Sequence, residues 1–168
     1  MPKTVICSDH AGRKHEVPVD KLRWRPSAYG IVVKDDCLLV APQFGNYDLP
    51  GGGIELGETI EEGLLREIKE ETGIDAANPR LVSVHTSFFV LPDSKKGNYI
   101  EGLMFYYVCS FAGGELSDSG FDEDEKRNSA MPEWLPLTKL DAVNTGGGVD
   151  WRGIVKAALA TKHQDVPQ

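Results

Sequence analysis

Residues 51–74, GGGIELGETIEEGLLREIKEETGI, restrict the fold more than any other stretch of the chain. Three glycines demand close or unusual backbone. The run from Thr59 to Thr72 then predicts a helix, and Gly73 sits where a left-handed residue ends one. At 100° per residue, Glu67, Glu70 and Glu71 share one face. Leu64, Leu65 and Ile68 form an apolar stripe beside it, suited to docking on a sheet. Gly63 lies one turn before Glu67, and its missing side chain would leave room for a ligand. Glu62 and Arg66 make an i, i+4 pair of the kind found on ordinary surface helices. Glu55 and Glu61 read as solvated.

Like charges on one face repel, so three carboxylates call for protons, basic partners or cations. Hard divalent ions such as Mg²⁺ and Mn²⁺ take oxygen ligands, and Mg²⁺ often bridges carboxylates and phosphates. The net charge of -8 over 168 residues argues against a nucleic-acid partner held by a basic surface. It also means that local features must hold any anionic ligand. Three scattered cysteines suit a reducing compartment. No apolar run resembles a signal peptide or a membrane span, the longest being Leu103 to Cys109. The expectation is a cytoplasmic protein.

The rest of the chain is rich in strand signals. Thr4–Ser8 and Glu16–Val19 predict an N-terminal hairpin, and Asp35-Asp36 divides YGIVVKDDCLLVAP into a second. QFGNYDLPGGG, residues 43–53, reads as loop. LVSVHTSFFVLP and YIEGLMFYYVCSF predict two strands. Residues 112–130 form a long acidic loop, EWLPL is a short strand, and Asp150 is placed to cap a helix over 151–162. The sum is an α+β domain with strands predominating.

Gly52, Glu58, Arg66, Glu67, Ile68, Glu70, Glu71, Gly73 and Ile74 stand at the spacing G-x5-E-x7-R-E-U-x-E-E-x-G-U, where U is bulky and aliphatic. This resembles the Nudix box at every specified position, and the lead-in YDLPGG and the later EWLPLTKL are similar to the family as well. The resemblance implies a mixed β-sheet sandwich with flanking helices. It divides the chain into a hairpin extension (1–22), a Nudix domain (23–162) and a tail (163–168). It also implies Mg²⁺ or Mn²⁺ as cofactor, with Glu67, Glu70, Glu71 and the Gly51 carbonyl as ligands and the same glutamates catalytic. Gly52, Glu58, Arg66 and Gly73 are then structural.

The implied reaction is hydrolysis of a phosphoanhydride in a nucleoside diphosphate linked to another group. A nucleoside triphosphate or similar small nucleotide is the expected substrate. ADP-ribose or nucleotide-sugar hydrolysis and a non-catalytic nucleotide sensor are the alternatives, and a homodimer is a candidate assembly. Many members recruit a further acid from a late loop. Asp122, Glu123, Asp124 and Glu125 are available, with Glu125 or Glu123 favoured and Glu101 another candidate. Tyr47, Phe88, Phe89 and Trp134 are candidates for stacking on a base, and Arg23, Arg25, Lys95 and Lys96 for touching phosphate. Cys7, His10 and His15 lack a fourth ligand for zinc, and a polar hairpin turn explains them without metal.

Overall fold

The computed structural model describes residues 3–91, 98–121, 123, 125–145 and 148–162. Strand β1 (Thr4–Ser8) pairs antiparallel with β2 (Lys14–Pro18), as expected for the N-terminal hairpin. Strand β3 (Arg23–Lys34) turns through Asp35 and Asp36 into β4 (Cys37–Gln43). Both aspartates have left-handed φ, 48° and 56°, the geometry that matches a two-residue turn to the strand twist.

The expected loop over 43–53 is instead two short strands, β5 (Asn46–Asp48) and β6 (Gly51–Gly53). Phe44 and Gly45 make another left-handed turn between β4 and β5. The glycines of β6 allow close approach rather than looseness. β6 pairs with β3, and a Cβ on Gly51 would drive into the Ala28 carbonyl oxygen and lie 2.7 Å from the Tyr29 Cα.

After helix α1 (Ile60–Thr72) come the long strands β7 (Ile74–Leu91) and β8 (Asn98–Gly114). Each is longer than its sequence pattern. In β7 the register shifts between Asp75/Ala76, Ala77/Arg80 and Leu81/Ser83, which breaks the alternation that would reveal the strand. The acidic region holds a short helix α2 (Glu125–Asn128), followed by β9 (Glu133–Pro136) and helix α3 (Trp151–Lys162). The Asp150 carboxylate accepts from the Arg152 N–H at 3.2 Å, as a cap should.

The main strand order is β2-β1-β7-β8-β3-β4-β5, with β6 on β3 and β9 on β4. β3 and β8 run parallel while β7 and β8 run antiparallel, so the sheet is mixed. Successive side chains enter opposite layers. Ile31, Leu38, Leu135 and Tyr106 pack with Trp151 and Val155 of α3. Val32, Leu39 and Tyr107 pack with Leu64 and Ile68 of α1. The α+β sandwich with a helix on each side is the expected fold. The N-terminal hairpin continues the same sheet through Ser8, which pairs with Phe89. No helix among the described residues is long and apolar enough to cross a membrane.

Candidate functional site

Helix α1 is fixed at both ends. Thr59 Oγ1 accepts from the Glu62 N–H at 3.2 Å, and the Glu62 carboxylate accepts from the Thr59 N–H at 2.8 Å. This capping box satisfies two donors that the helix leaves orphaned. It occupies Glu62, so the expected Glu62–Arg66 pair is replaced by other partners. Gly73, at φ 74°, ends the helix. Leu64 and Ile68 are fully buried. A Cβ on Gly30 would come 2.5 Å from Ile68 Cδ1, so the helix rests directly on β3.

Arg66 ties the preceding loop to the helix. Its Nε and Nη2 donate to the two Glu58 oxygens at 2.7 and 2.9 Å. Its Nη1 donates to Glu67 and Glu70, each at 3.0 Å. The guanidinium beside it holds the Glu58 carboxyl down at about 2. Such a bidentate, charge-assisted pair is geometrically specific. Gly63 serves the same loop, correcting the reading that it admits a ligand. A Cβ there would meet Ile54 Cδ1 at 2.8 Å and Glu58 Oε2 at 2.9 Å. Glu61 accepts from the Tyr107 hydroxyl at 3.1 Å.

The three glutamates do not stand on one open face. Glu71 is buried, its carboxylate accepting from the Gly51 N–H at 2.9 Å and from Gln43 Nε2 at 3.0 Å. Glu67 lies against the glycine strand, where burial pushes its carboxyl up. A Cβ on Gly52 would sit 2.6 Å from Glu67 Oε2, so this glycine makes the space for the carboxylate. Glu70 is half exposed and paired with Arg66.

Glu67 and Glu71 border a cleft of ≈ 850 Å³. Gly51, Gly52 and Gly53 line it, with Arg25, Tyr47 and Phe89 from the expected ligand contacts. Arg25 packs across Gly53, which would otherwise place a Cβ 2.8 Å from Arg25 Nη2, and it donates to Ser27 Oγ at 2.9 Å. The cleft also contains groups that no sequence pattern assigned to it: Asp48, Gln43, Arg127, and Ser8, Asp9 and His10 of the hairpin turn. Burial pushes the Asp48 carboxyl up to about 7.

Trp134 does not line this cleft. It packs edge-on against Phe111, with centroids 5.9 Å apart, and borders a separate depression with Tyr47. Arg23, Phe88 and Glu101 are also absent from the lining. Glu123 is exposed and pairs with Lys126 at 2.9 Å. Asp122, Asp124, Lys95, Lys96 and the Glu125 side chain fall outside the described residues. Cys7 is buried, while His15 bonds to Asp9 at 3.1 Å.

Among the described residues, no three His, Cys, Asp or Glu side chains converge as a metal ion would require. Arg66 holds Glu67 and Glu70, and Glu71 is turned to the Gly51 N–H. The donor chemistry nevertheless fits a hard divalent cation. It is all oxygen, and the missing side chain of Gly52 leaves the space that the Glu67 carboxylate occupies.

A mixed sheet between two helices, with a capped glutamate helix laid against a glycine strand, defines a class. The sequence model described as the NUDIX domain matches residues 23–156. The chain belongs to the NUDIX family. It is 44% identical over 131 residues to a MutT-like protein of Streptomyces ambofaciens, covering 72% of this chain and 78% of the relative. It is 38% identical over 101 residues to an ADP-ribose pyrophosphatase of Methanocaldococcus jannaschii, covering 57% and 56%. A crystal structure of a mutator MutT protein from Bacillus halodurans matches with a TM-score of 0.60 and 26% identity, covering 79% of this chain and 80% of that one. The matches span only about half the length of some curated relatives.

Proposed function

We propose that this chain is a divalent-metal-dependent hydrolase. It would cleave a phosphoanhydride in a nucleoside diphosphate linked to another group, with a nucleoside triphosphate or similar small nucleotide as substrate. Residues 23–162 would form the hydrolase unit. The observation that carries the reading is the glutamate helix against the glycine strand, with Glu67 and Glu71 beside Arg25 in one cleft.

Glu67, Glu70, Glu71 and the Gly51 carbonyl would hold Mg²⁺ or Mn²⁺. When bound, such an ion neutralises phosphate oxygens and lowers the pKa of a water. Arg25, held by Ser27 and packed across Gly53, supplies a fixed fork of donors for phosphate oxygens. Glu67 or Glu71 takes the proton from the attacking water. Glu58 and Arg66 keep the loop and helix in register, so that these groups stay positioned. The cleft's arginines answer the anion problem that the net charge of -8 poses.

The relative named ADP-ribose pyrophosphatase supports a second reading, with ADP-ribose as substrate. The test is a panel of nucleoside triphosphates, ADP-ribose and nucleotide sugars with Mg²⁺ or Mn²⁺ in ¹⁸O-labelled water. The expected product carries the label on a phosphate. Label on a sugar carbon, or no turnover of any panel member, overturns the hydrolase reading.

A further inference from the structure

We propose that His10 and Phe44 form a nucleobase-stacking end of the cleft, so that the N-terminal hairpin serves as a binding element. The proposal rests on the nucleotide reading above. The two rings come from different turns, His10 from that between β1 and β2 and Phe44 from that between β4 and β5. Their centroids are 5.0 Å apart and their planes differ by 31°. Both border the cleft that holds Glu67, Glu71 and Arg25.

Neither ring is explained by burial, since both are exposed, Phe44 at 36%. Phe44 also sits at φ 50°, an outlying conformation for a bulky residue. Asparagine or glycine would serve a two-residue turn with less strain. Strain of this kind gathers at ligand-binding sites.

Both turns are held in place. The buried Asp9 carboxylate accepts from the Ala11 N–H at 3.0 Å, the Arg13 N–H at 2.9 Å and Arg13 Nε at 2.7 Å, and bonds His15 at 3.1 Å. The Phe44 N–H donates to the Asn128 carbonyl at 2.8 Å. Turns fixed in advance lower the ordering cost of gripping a ligand. Stacking on such rings suits a planar heterocycle and tolerates any base. His10 lies outside the matched residues 23–156, so this contact belongs to the chain's own extension.

The probes are AMP and ribose 5-phosphate, which differ only by the base, titrated against the intact chain with Mg²⁺. The wild type should bind AMP at least about 10-fold more tightly. His10→Ala and Phe44→Asn, which keeps a residue tolerant of the turn, should each weaken AMP by roughly 5- to 150-fold, the range of a lost stacking contact. Ribose 5-phosphate affinity should stay unchanged, and Tm should not fall in either variant. A wild type that binds both probes equally, or neither, overturns the proposal. So do variants with unchanged AMP affinity, or variants that lose both ligands together. Failure of the hydrolysis panel would overturn the catalytic reading alone, because these titrations require no turnover.

Discussion

Gly51 and Gly52 are adjacent in β6, yet replacing each with alanine should fail in different ways. At Gly52 the atoms nearest the new Cβ are those of the Glu67 carboxylate, at 2.6 to 2.9 Å. That group is the far end of a flexible side chain and can swing aside. The cost is one shared contact with Arg66, on the order of 1 kcal/mol. For a chain of this size that is a Tm loss of roughly 2–4 °C. Turnover should fall by orders of magnitude, because the displaced carboxylate is a proposed metal ligand. At Gly51, φ is 146° and the Cβ meets the backbone of Ala28 and Tyr29. The β3–β6 pairing itself must open, at a cost of roughly 3 kcal/mol or more. Gly51→Ala should lose about 10 °C or fail to fold. The assay is melting temperature beside turnover of whichever panel nucleotide the wild type hydrolyses. A Gly52→Ala variant with near-normal turnover would refute the placement of Glu67 in the reaction.

Further outcomes follow from the same geometry. Glu71→Gln should abolish most turnover and cost about 1–2 kcal/mol, because the structure makes this carboxylate a buried acceptor of the Gly51 N–H rather than one of three repelling charges; unchanged activity would remove it from the site. Leu64→Ala should cost roughly 2–5 kcal/mol in denaturant titration while the ligand groups remain. Chelator should stop hydrolysis and Mg²⁺ or Mn²⁺ restore it; full activity without metal would contradict the cofactor assignment. For Asp48 the folded carboxyl lies near 7, above its unfolded value of about 3.9. Its favourable contribution is complete below about pH 4 and is lost as pH rises through about 7. Compared with Asp48→Asn, the wild type should therefore lose roughly 2–3 kcal/mol between about pH 5 and about pH 8, and parallel pH profiles would refute this.

The glutamate helix was legible because its signals are local: a spacing, an apolar stripe and a terminal glycine all lie within one segment. The α3 helix and the Asp35-Asp36 hairpin were legible for the same reason. Gly63 was misread because what fills its space, Ile54 and Glu58, arrives from the preceding loop. The β6 strand was hidden because glycine carries no strand signal, and what requires its glycines, the β3 backbone at Gly51, Glu67 at Gly52 and Arg25 at Gly53, lies elsewhere in the chain. The hairpin turn reaches the cleft through the Ser8–Phe89 pairing, and Gln43 meets the site through its bond to Glu71, both contacts distant in sequence. No local pattern announces them. Trp134 shows the reverse error, an aromatic with an inviting chemistry whose neighbours are Phe111 and the sheet core.

The parallel ladder between β3 and β8 has a consequence for how the chain is made. Every rung joins residues separated by nearly half the sequence, from Arg23 with Ile100 to Val32 with Cys109. During synthesis, β3 and α1 leave the ribosome well before β8 exists. Until then the central strand has one side unpaired, and Ala28 and Val32 beneath the helix lack the Tyr107 and Cys109 layer that completes their packing. Pairings so distant are slow to close, and an open strand edge is a template for other chains. The chain should therefore be most prone to aggregation while nascent, and arrest of translation between β7 and β8 should yield a species that chaperones hold and that the finished protein never resembles.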